Sequence, residues 1–450
     1  MRTKYRVSKG LNLRLSGAAP LDPSDIATES RCSSCAITPD DFPGFEPKAA
    51  VKEGDLVGAG APLLFHKADP EVKLTAPCGG RVSAVVRGER RKIVRVVVEP
   101  AEGPEAVTFA TPDKDASAEE IASLMKASGL WAMMRRRPFD TIPLAGDEPR
   151  DIFVNAMDTA PLATDPTAAG GFDKRQLETA VAALRKLTKG NVYICVAEGA
   201  NFVDVAGARM CEFTRLHPAG LVGTQIDAIA PINKGETVWT LNLDTLVRLG
   251  RLLVTGKLDN KVVCTVCGPA LKTPRVVRAF IGEDVRDLLA AEKEIPANVR
   301  IISGNVLTGV QVGEDGYLRY PYTQLTVIAE SNDDAEFMGW ASMSPSKLSV
   351  SSAFPSSYNK REFRPDARLN GGRRAMIMSE VYDKLIPIDI MPEFLIKAIL
   401  ARDIDRMEAL GIYEVAPEDF ALAEFADPSK LELQRIVREG LDFMRKETQG

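Results

Sequence analysis

The sequence predicts a multidomain α/β protein, and three observations carry that expectation. Short β segments punctuated by glycine and proline fill residues 47–100, strands alternate with amphipathic helices from 104 to 257, and three- and four-residue apolar spacing takes over after Pro392. With 450 residues, and roughly 150 per domain, the chain has room for about three domains with buried cores.

The elements follow in order. Val51–Leu64 and Leu74–Val85 alternate Val and Leu between glycines, which supply turns with positive φ. This pair of phrases resembles the barrel-sandwich hybrid of biotinyl and lipoyl carrier domains, and the first domain is set at 1–103. A carrier lysine belongs in an Asp-Lys-Ala hairpin. Here the tip reads His66-Lys67-Ala68-Asp69-Pro70, so the fold is expected without the swinging-arm chemistry.

The second domain, 104–257, is Rossmann-like. Ser117-Ala118-Glu119-Glu120 is a capping box that opens a helix expected to run through Leu124 to Trp131. Ile152–Met157, Val192–Val196 and Val238–Leu243 read as strands, Arg175–Lys189 as a helix closed by Gly190, and a further helix runs to Gly256. No Gly-x-Gly-x-x-Gly follows any of these strands. A dinucleotide pyrophosphate therefore lacks the glycine turn that lets it approach a helix start.

A third unit, 258–330, holds a strand through Cys264, a helical Val285–Leu289 and the run Val299–Gly309. Strand-rich sequence, including Trp340, is expected from there to about 375, running into the last unit, 331–450. Helices follow at Pro392–Leu410 and Leu431–Met444, with Pro392 suited to a first helical turn.

Composition narrows the function classes. The 57 Lys+Arg against 62 Asp+Glu give a net charge of −5, which opposes a general nucleic-acid binder, and 45% hydrophobic with 26% charged residues excludes wholesale disorder. No apolar run reaches the about 18 residues that a membrane span needs; the longest candidate, Leu216–Ile232, is broken by His217, Gln225 and Asp227. The start, Met1–Arg6, leads into no apolar signal core, so a cytoplasmic protein is expected.

The seven cysteines include two Cys-x-x-Cys pairs, Cys32/Cys35 and Cys264/Cys267. That spacing suits tetrahedral zinc, but strand alternation would turn Cys264 and Cys267 to opposite faces, and the main reading is structural thiols with no metal. The run of cysteines typical of an iron–sulfur protein is absent. Two histidines, His66 and His217, are too few for a multi-histidine centre. His217, in Leu216-His-Pro-Ala-Gly220, reads as a loop-stabilising imidazole or a ligand contact.

The order of these parts is similar to that of the flavoprotein subunit of respiratory complex I and its relatives. Ser8–Leu13, Ser128–Trp131, Arg137-Pro138-Phe139, Ala156–Thr159 with Pro161–Ala163, His217–Gly220 and Ile302–Gly309 resemble, collinearly over nearly the whole chain, the NqrA family, which supplies one subunit of the bacterial sodium-translocating NADH:quinone oxidoreductases. Cys32–Cys35 and 340–370 match least. The resemblance implies a barrel-sandwich domain, a Rossmann-like domain, an SLBB (ubiquitin-like) domain and a helical domain. It also implies a peripheral subunit on the cytoplasmic face of the bacterial inner membrane, partnered by the other five subunits, B to F. Flavin-binding relatives carry a Gly-rich loop where this chain has Trp131–Phe139, so NAD, flavins and Fe–S clusters are expected in the partner subunits and none in this chain. The alternatives are an RnfC-like subunit for electron input, or a biotin- or lipoate-type carrier.

The family is associated with quinone reduction, so the expected site is a quinone slot with no catalytic side chain of its own. Trp131 and Phe139 could sandwich the ring of ubiquinone or menaquinone, Met133 and Met134 could adapt to its tail, and Arg135, Arg136 or Arg137 could donate to a reduced oxygen. The competing readings are a core Trp131 and an arginine run that is solvated or docks partners or anionic lipid. Arg87–Lys92 and Arg373-Arg374 are further basic clusters of the same kind.

Overall fold

The computed structural model describes residues 2–21, 28–113, 115–292, 295–330, 347–350, 354–358 and 361–449. In the first domain, two antiparallel sheets face each other. One runs Cys35–Ile37, Ile93–Pro100, Gly80–Arg87, Leu56–Val57; the other runs Pro47–Ala49, Pro62–His66, Lys73–Thr75. Leu63, Leu64, Val82 and Val96, each fully buried, fill the space between them. Burying each such side chain contributes about 1.5–3 kcal/mol. Lys67 follows Pro62–His66 on the exposed turn, and the ring of His66 is buried, with Nδ1 accepting from the Glu46 amide at 2.9 Å.

The second domain is a six-stranded sheet. Ile152–Asn155 pairs in parallel with Val192–Ala197 on one side and Val238–Asn242 on the other. Arg209–Phe213 follows beyond Val192–Ala197, and the strand Thr3–Tyr5 closes that edge beside it (Thr3↔Cys211). On the opposite edge Arg135–Arg137 lies antiparallel to Val238–Asn242. Helices Lys174–Lys186 and Leu243–Thr255 pack together, and Leu177, Leu184, Leu246 and Leu249 join Trp131, Ile152 and Val154 in a core continuous with that of the first domain.

The third unit is a five-stranded sheet, in the order Arg275–Phe280, Lys261–Cys267, Gln324–Ala329, Val299–Ser303, Val310–Val312, with helix Val285–Leu289 against it. The fourth is helical. Pro392–Ala401 and Leu433–Gln449 enclose Leu395, Ile396, Val437 and Leu441, and Phe139 reaches into this core from the second domain.

Three expectations need correction. The helix from Ala118 ends at Ser128, because Gly129 turns left-handed (φ 87°); Trp131 lies on a separate 3-10 turn, Trp131–Met133. The helix over Pro392–Leu410 is two helices, broken where Arg402 turns left-handed (φ 54°) and Asp403 caps the next helix, Ile404–Ala409. The strand-rich stretch supplies Gln324–Ala329 but, where it is described beyond residue 330, no further strand. Residues 347–350, 354–358 and 361–375 hold a 3-10 turn, Pro355–Tyr358, and single bridges from Phe363 to Leu15 and Asp366 to Ala329, since β-prone residues without a partner strand make no ladder. Trp340 and the rest of 331–346 lie outside the described residues.

Candidate functional site

The chain runs from Ile152–Asn155 outward to Val192–Ala197 and Arg209–Phe213, then crosses back to Val238–Asn242 on the other side of its first strand. That reversal creates a switch point between Ile152–Asn155 and Val238–Asn242, and ligands in open α/β sheets bind outside the carboxyl ends of such strands. A cavity of about 220 Å³ lies there, lined by Asn155 and Asn242 from the two strand ends, by His217, by Met133 and Arg135, and by Tyr320 and Tyr322 from the third unit.

Each wall has its own anchor. The Asn155 amide donates to the Gly220 carbonyl (2.8 Å) and accepts from Gln225 Nε2 (2.9 Å), fixing the His217–Gly220 loop over the strand end. The Tyr320 ring stacks on Phe42 (5.0 Å, 9°), and its hydroxyl donates to the Met133 carbonyl at 2.6 Å. Arg135 lies over the same ring and donates to the Asp41 carbonyl at 2.6 Å. Asn242 Oδ1 accepts from the Thr245 amide (2.9 Å), so the start of helix Leu243–Thr255 is capped by a side chain where a nucleotide-binding helix would offer its amides to a phosphate.

His217 is the chemically open group. It is 2% exposed, and Nδ1 meets the Thr159 hydroxyl at 3.1 Å, while that oxygen already accepts from the Gly220 amide (2.9 Å). The Thr159 proton can then go to Nδ1, which puts the imidazole proton on Nε2. Nε2 is buried and has no hydrogen-bond partner among the described residues. Burial pushes the imidazole pKa down to about 4, so near pH 7 the ring is neutral, and with its proton on Nε2 it is a donor beside the cavity. An orphaned buried donor costs about 1–3 kcal/mol, which a ligand carbonyl accepting from it would recover.

The seven residues expected to form the slot do not share one face. Met133 and Arg135 line the cavity. Trp131 is core: its indole donates to the Pro143 carbonyl at 3.0 Å, and it stands edge-on to Trp239 at 5.1 Å. Met134 is fully buried. Phe139 faces Tyr413 at 6.2 Å in the helical core, so it and Trp131 do not sandwich one ring. Arg136 pairs with Asp147 (3.0 Å), and Arg137 with Glu418 (3.0 Å) and Asp419 (3.3 Å); both arginines are buried. Alternation along Arg135–Arg137 turns Arg136 to the opposite face, whereas Arg137, on the same face as Arg135, is held by Glu418 and Asp419. Tyr320, Tyr322 and Asn155 were not singled out by sequence reasoning. The Tyr320-Pro321-Tyr322 pair of rings was the available signal.

The two Cys-x-x-Cys pairs also stay apart. Cys264 enters the third unit's apolar core, whereas Cys267 faces Thr326 (Sγ to Oγ1, 3.7 Å), and Cys32 and Cys35 lie instead beside Cys78.

Family models match three successive stretches: the NqrA N-terminal barrel-sandwich hybrid domain over 5–101, the NqrA second alpha/beta domain over 116–258, and a model described as the NQRA C-terminal domain, of SLBB type, over 263–314. The chain is 36% identical over 449 residues to the A subunit of the Na(+)-translocating NADH-quinone reductase of Pasteurella multocida, covering 98% of this chain and 99% of that one. The chain belongs to the NqrA family. Subunits of the same name from Neisseria gonorrhoeae and Haemophilus influenzae are 35% and 36% identical, each again with 98% of this chain and 99% of the relative covered. The barrel-sandwich, α/β and SLBB parts expected from the sequence are those of the NqrA family. A solved chain of an NAD+-reducing NiFe hydrogenase aligns with 75% of this chain and 64% of its own length at 11% identity and a TM-score of 0.35, too weak a likeness to bear on function. Among the described residues no helix is long and apolar enough to cross a membrane.

Proposed function

We propose that this chain is the peripheral NqrA component of a sodium-translocating NADH–quinone reductase on the cytoplasmic face of the inner membrane, and that it holds the quinone headgroup in the crevice between Asn155 and Asn242. NADH oxidation, flavins, the iron–sulfur cluster and the sodium path belong to partner subunits B to F, and this chain holds none of those cofactors. The observation that carries the quinone reading is the buried His217 Nε2, a donor when it holds the ring proton and without a hydrogen-bond partner among the described residues, at a cavity where Met133, Met157 and Leu221 mix with polar and charged groups such as Asp158, Asp244 and Glu418. A quinone offers what that donor lacks, a flat ring with a carbonyl acceptor. Met133 touches the ring or the first tail segment, Tyr320 and Tyr322 flank it, and Arg135 places positive charge near the reduced oxygen. Trp131, Met134, Arg136, Arg137 and Phe139 act one step back by fixing the 3-10 turn that carries Met133 and the strand that carries Arg135. Ubiquinone and menaquinone both meet these requirements.

Photolabelling tests the reading. A photoreactive short-tail quinone is expected to mark peptides containing Met133–Arg135, His217 or Tyr320–Tyr322, with protection by excess unlabelled quinone. Label confined to other peptides, or label that no quinone displaces, would remove the quinone from this crevice. Co-purification with membrane subunits from the source cells tests the assignment to the complex separately.

A further inference from the structure

Three cysteine sulfurs meet at one point from two segments of the first domain. Cys32 sits in a loop, Cys35 opens strand Cys35–Ile37, and Cys78 lies in the turn between Lys73–Thr75 and Gly80–Arg87. Their Sγ atoms all lie within 4.8 Å of one another, and Cys35 and Cys78 approach to 2.7 Å. Cys35 and Cys78 are buried, and Cys32 is half-buried at the outer side. No other group of three His, Cys, Asp or Glu residues with this ligand spacing occurs among the described residues.

The same loop is the seam to the SLBB unit. The Ala36 amide donates to the Gly282 carbonyl (2.7 Å), Cys35 bridges Glu283 through the backbone, Ser33 donates to Asp287 from both its amide (2.6 Å) and its hydroxyl (2.7 Å), and Ser34 donates to Asp284 (3.1 Å). Glu283 and Asp284 are fully buried, so acidic groups border the thiols. Three thiolates among carboxylates would repel one another, so without an ion the sulfurs keep protons, and a divalent cation reverses that balance. A disulfide would join two sulfurs and strand the third. One thiophilic ion takes all three, with metal–sulfur bonds of about 2.3 Å and sulfurs about 3.8 Å apart, so the Cys35–Cys78 pair would open by about 1 Å.

We propose that Cys32, Cys35 and Cys78 bind one thiophilic divalent cation, zinc fitting best, with a fourth position open to solvent beside Cys32, and that the ion locks the loop carrying the SLBB contacts. Binding replaces three S–H bonds with three metal–sulfur bonds and releases three protons to solvent; no electron moves.

The test uses the full chain, purified under reductant and stripped with a chelator. Zinc is titrated in competition with a chromophoric chelator, and cobalt serves as a spectroscopic probe. The expected result is one zinc per chain, thiolate-to-cobalt charge-transfer bands and a higher melting temperature with zinc. Affinity should fall by more than roughly 100-fold, the upper end of the loss from an outer-shell partner, in Cys32→Ala and Cys78→Ser, and stay unchanged in Cys211→Ser. Should Cys78→Ser not fold, the half-buried Cys32→Ala variant decides alone. Equal zinc affinity in Cys32→Ala, or cobalt without charge-transfer bands, overturns the site. So does a reduced chain that takes up no zinc, including one whose purified form maps a Cys35–Cys78 disulfide.

Discussion

The Arg137 guanidinium donates to the Asp419 carboxylate at 3.3 Å across 282 residues of chain, and each of these side chains is only 1% exposed. Glu418 accepts from the same guanidinium at 3.0 Å. The pair fastens the helical domain to the edge strand Arg135–Arg137, which presents Arg135 to the crevice beside Met133 of the preceding turn. Removing one partner of a buried pair leaves the other charged and dry, at a cost of about 3–5 kcal/mol. Arg137→Ala should lower the urea midpoint accordingly. The double variant Arg137→Ala/Asp419→Ala should recover part of the loss, whereas strictly additive losses would mean that the two groups do not act together.

Gly223 supplies a second view of that pair. A Cβ there would fall within 3.0 Å of both Asp419 carboxylate oxygens, so Gly223→Ala should push Asp419 away from Arg137. The expected penalty is about 1–3 kcal/mol, typical of overpacking, and most of it should vanish in an Asp419→Ala background. Equal penalties in the two backgrounds, read by chemical denaturation, would separate Gly223 from the pair.

His217 sets a pH signature. Its folded pKa, about 4, lies below the ordinary value of 6.5, so the unfolded chain takes up the proton first. The stability tied to the neutral ring is complete above pH ~6.5 and falls away as pH drops towards 4, by up to about 3 kcal/mol. Glu283 and Glu414, whose carboxyls burial pushes up to about 7, act in the opposite sense and gain stability as pH falls from 7. The difference between the parent chain and His217→Gln isolates the imidazole. The parent's stability relative to the variant should fall between pH 6.5 and 4, and a difference that stays flat would mean that the ring is solvated.

Much of the scaffold was legible because period and punctuation agreed. Ser117 and Glu120 form the expected capping box, and the Val192–Ala197 strand is buried at every position, as its unbroken apolar run indicated. Arg209–Phe213 escaped notice, since Arg209 and Glu212 mask a strand that only its partner Val192–Ala197 specifies. The crevice was half legible. The Trp131–Phe139 stretch does carry two lining residues, but local sequence says nothing about Tyr320, brought alongside by the fold about 190 positions later and held by its bond to Met133. Nor does a run of three arginines reveal that Arg136 and Arg137 are buried against Asp147 and Asp419, because the loop that returns Asp147 to Arg136 carries no periodic signal and Asp419 belongs to another domain.

Quinone titration of the purified chain beside its folded His217→Gln variant, followed by tryptophan fluorescence and calorimetry, tests the crevice most directly. A short-tail quinone should saturate one site at micromolar concentration, about −8 kcal/mol. His217→Gln should weaken it about tenfold, the worth of roughly one hydrogen bond, with its melting curve still cooperative. No saturable binding, or the same affinity in both proteins, would contradict a quinone held by His217 at this switch point.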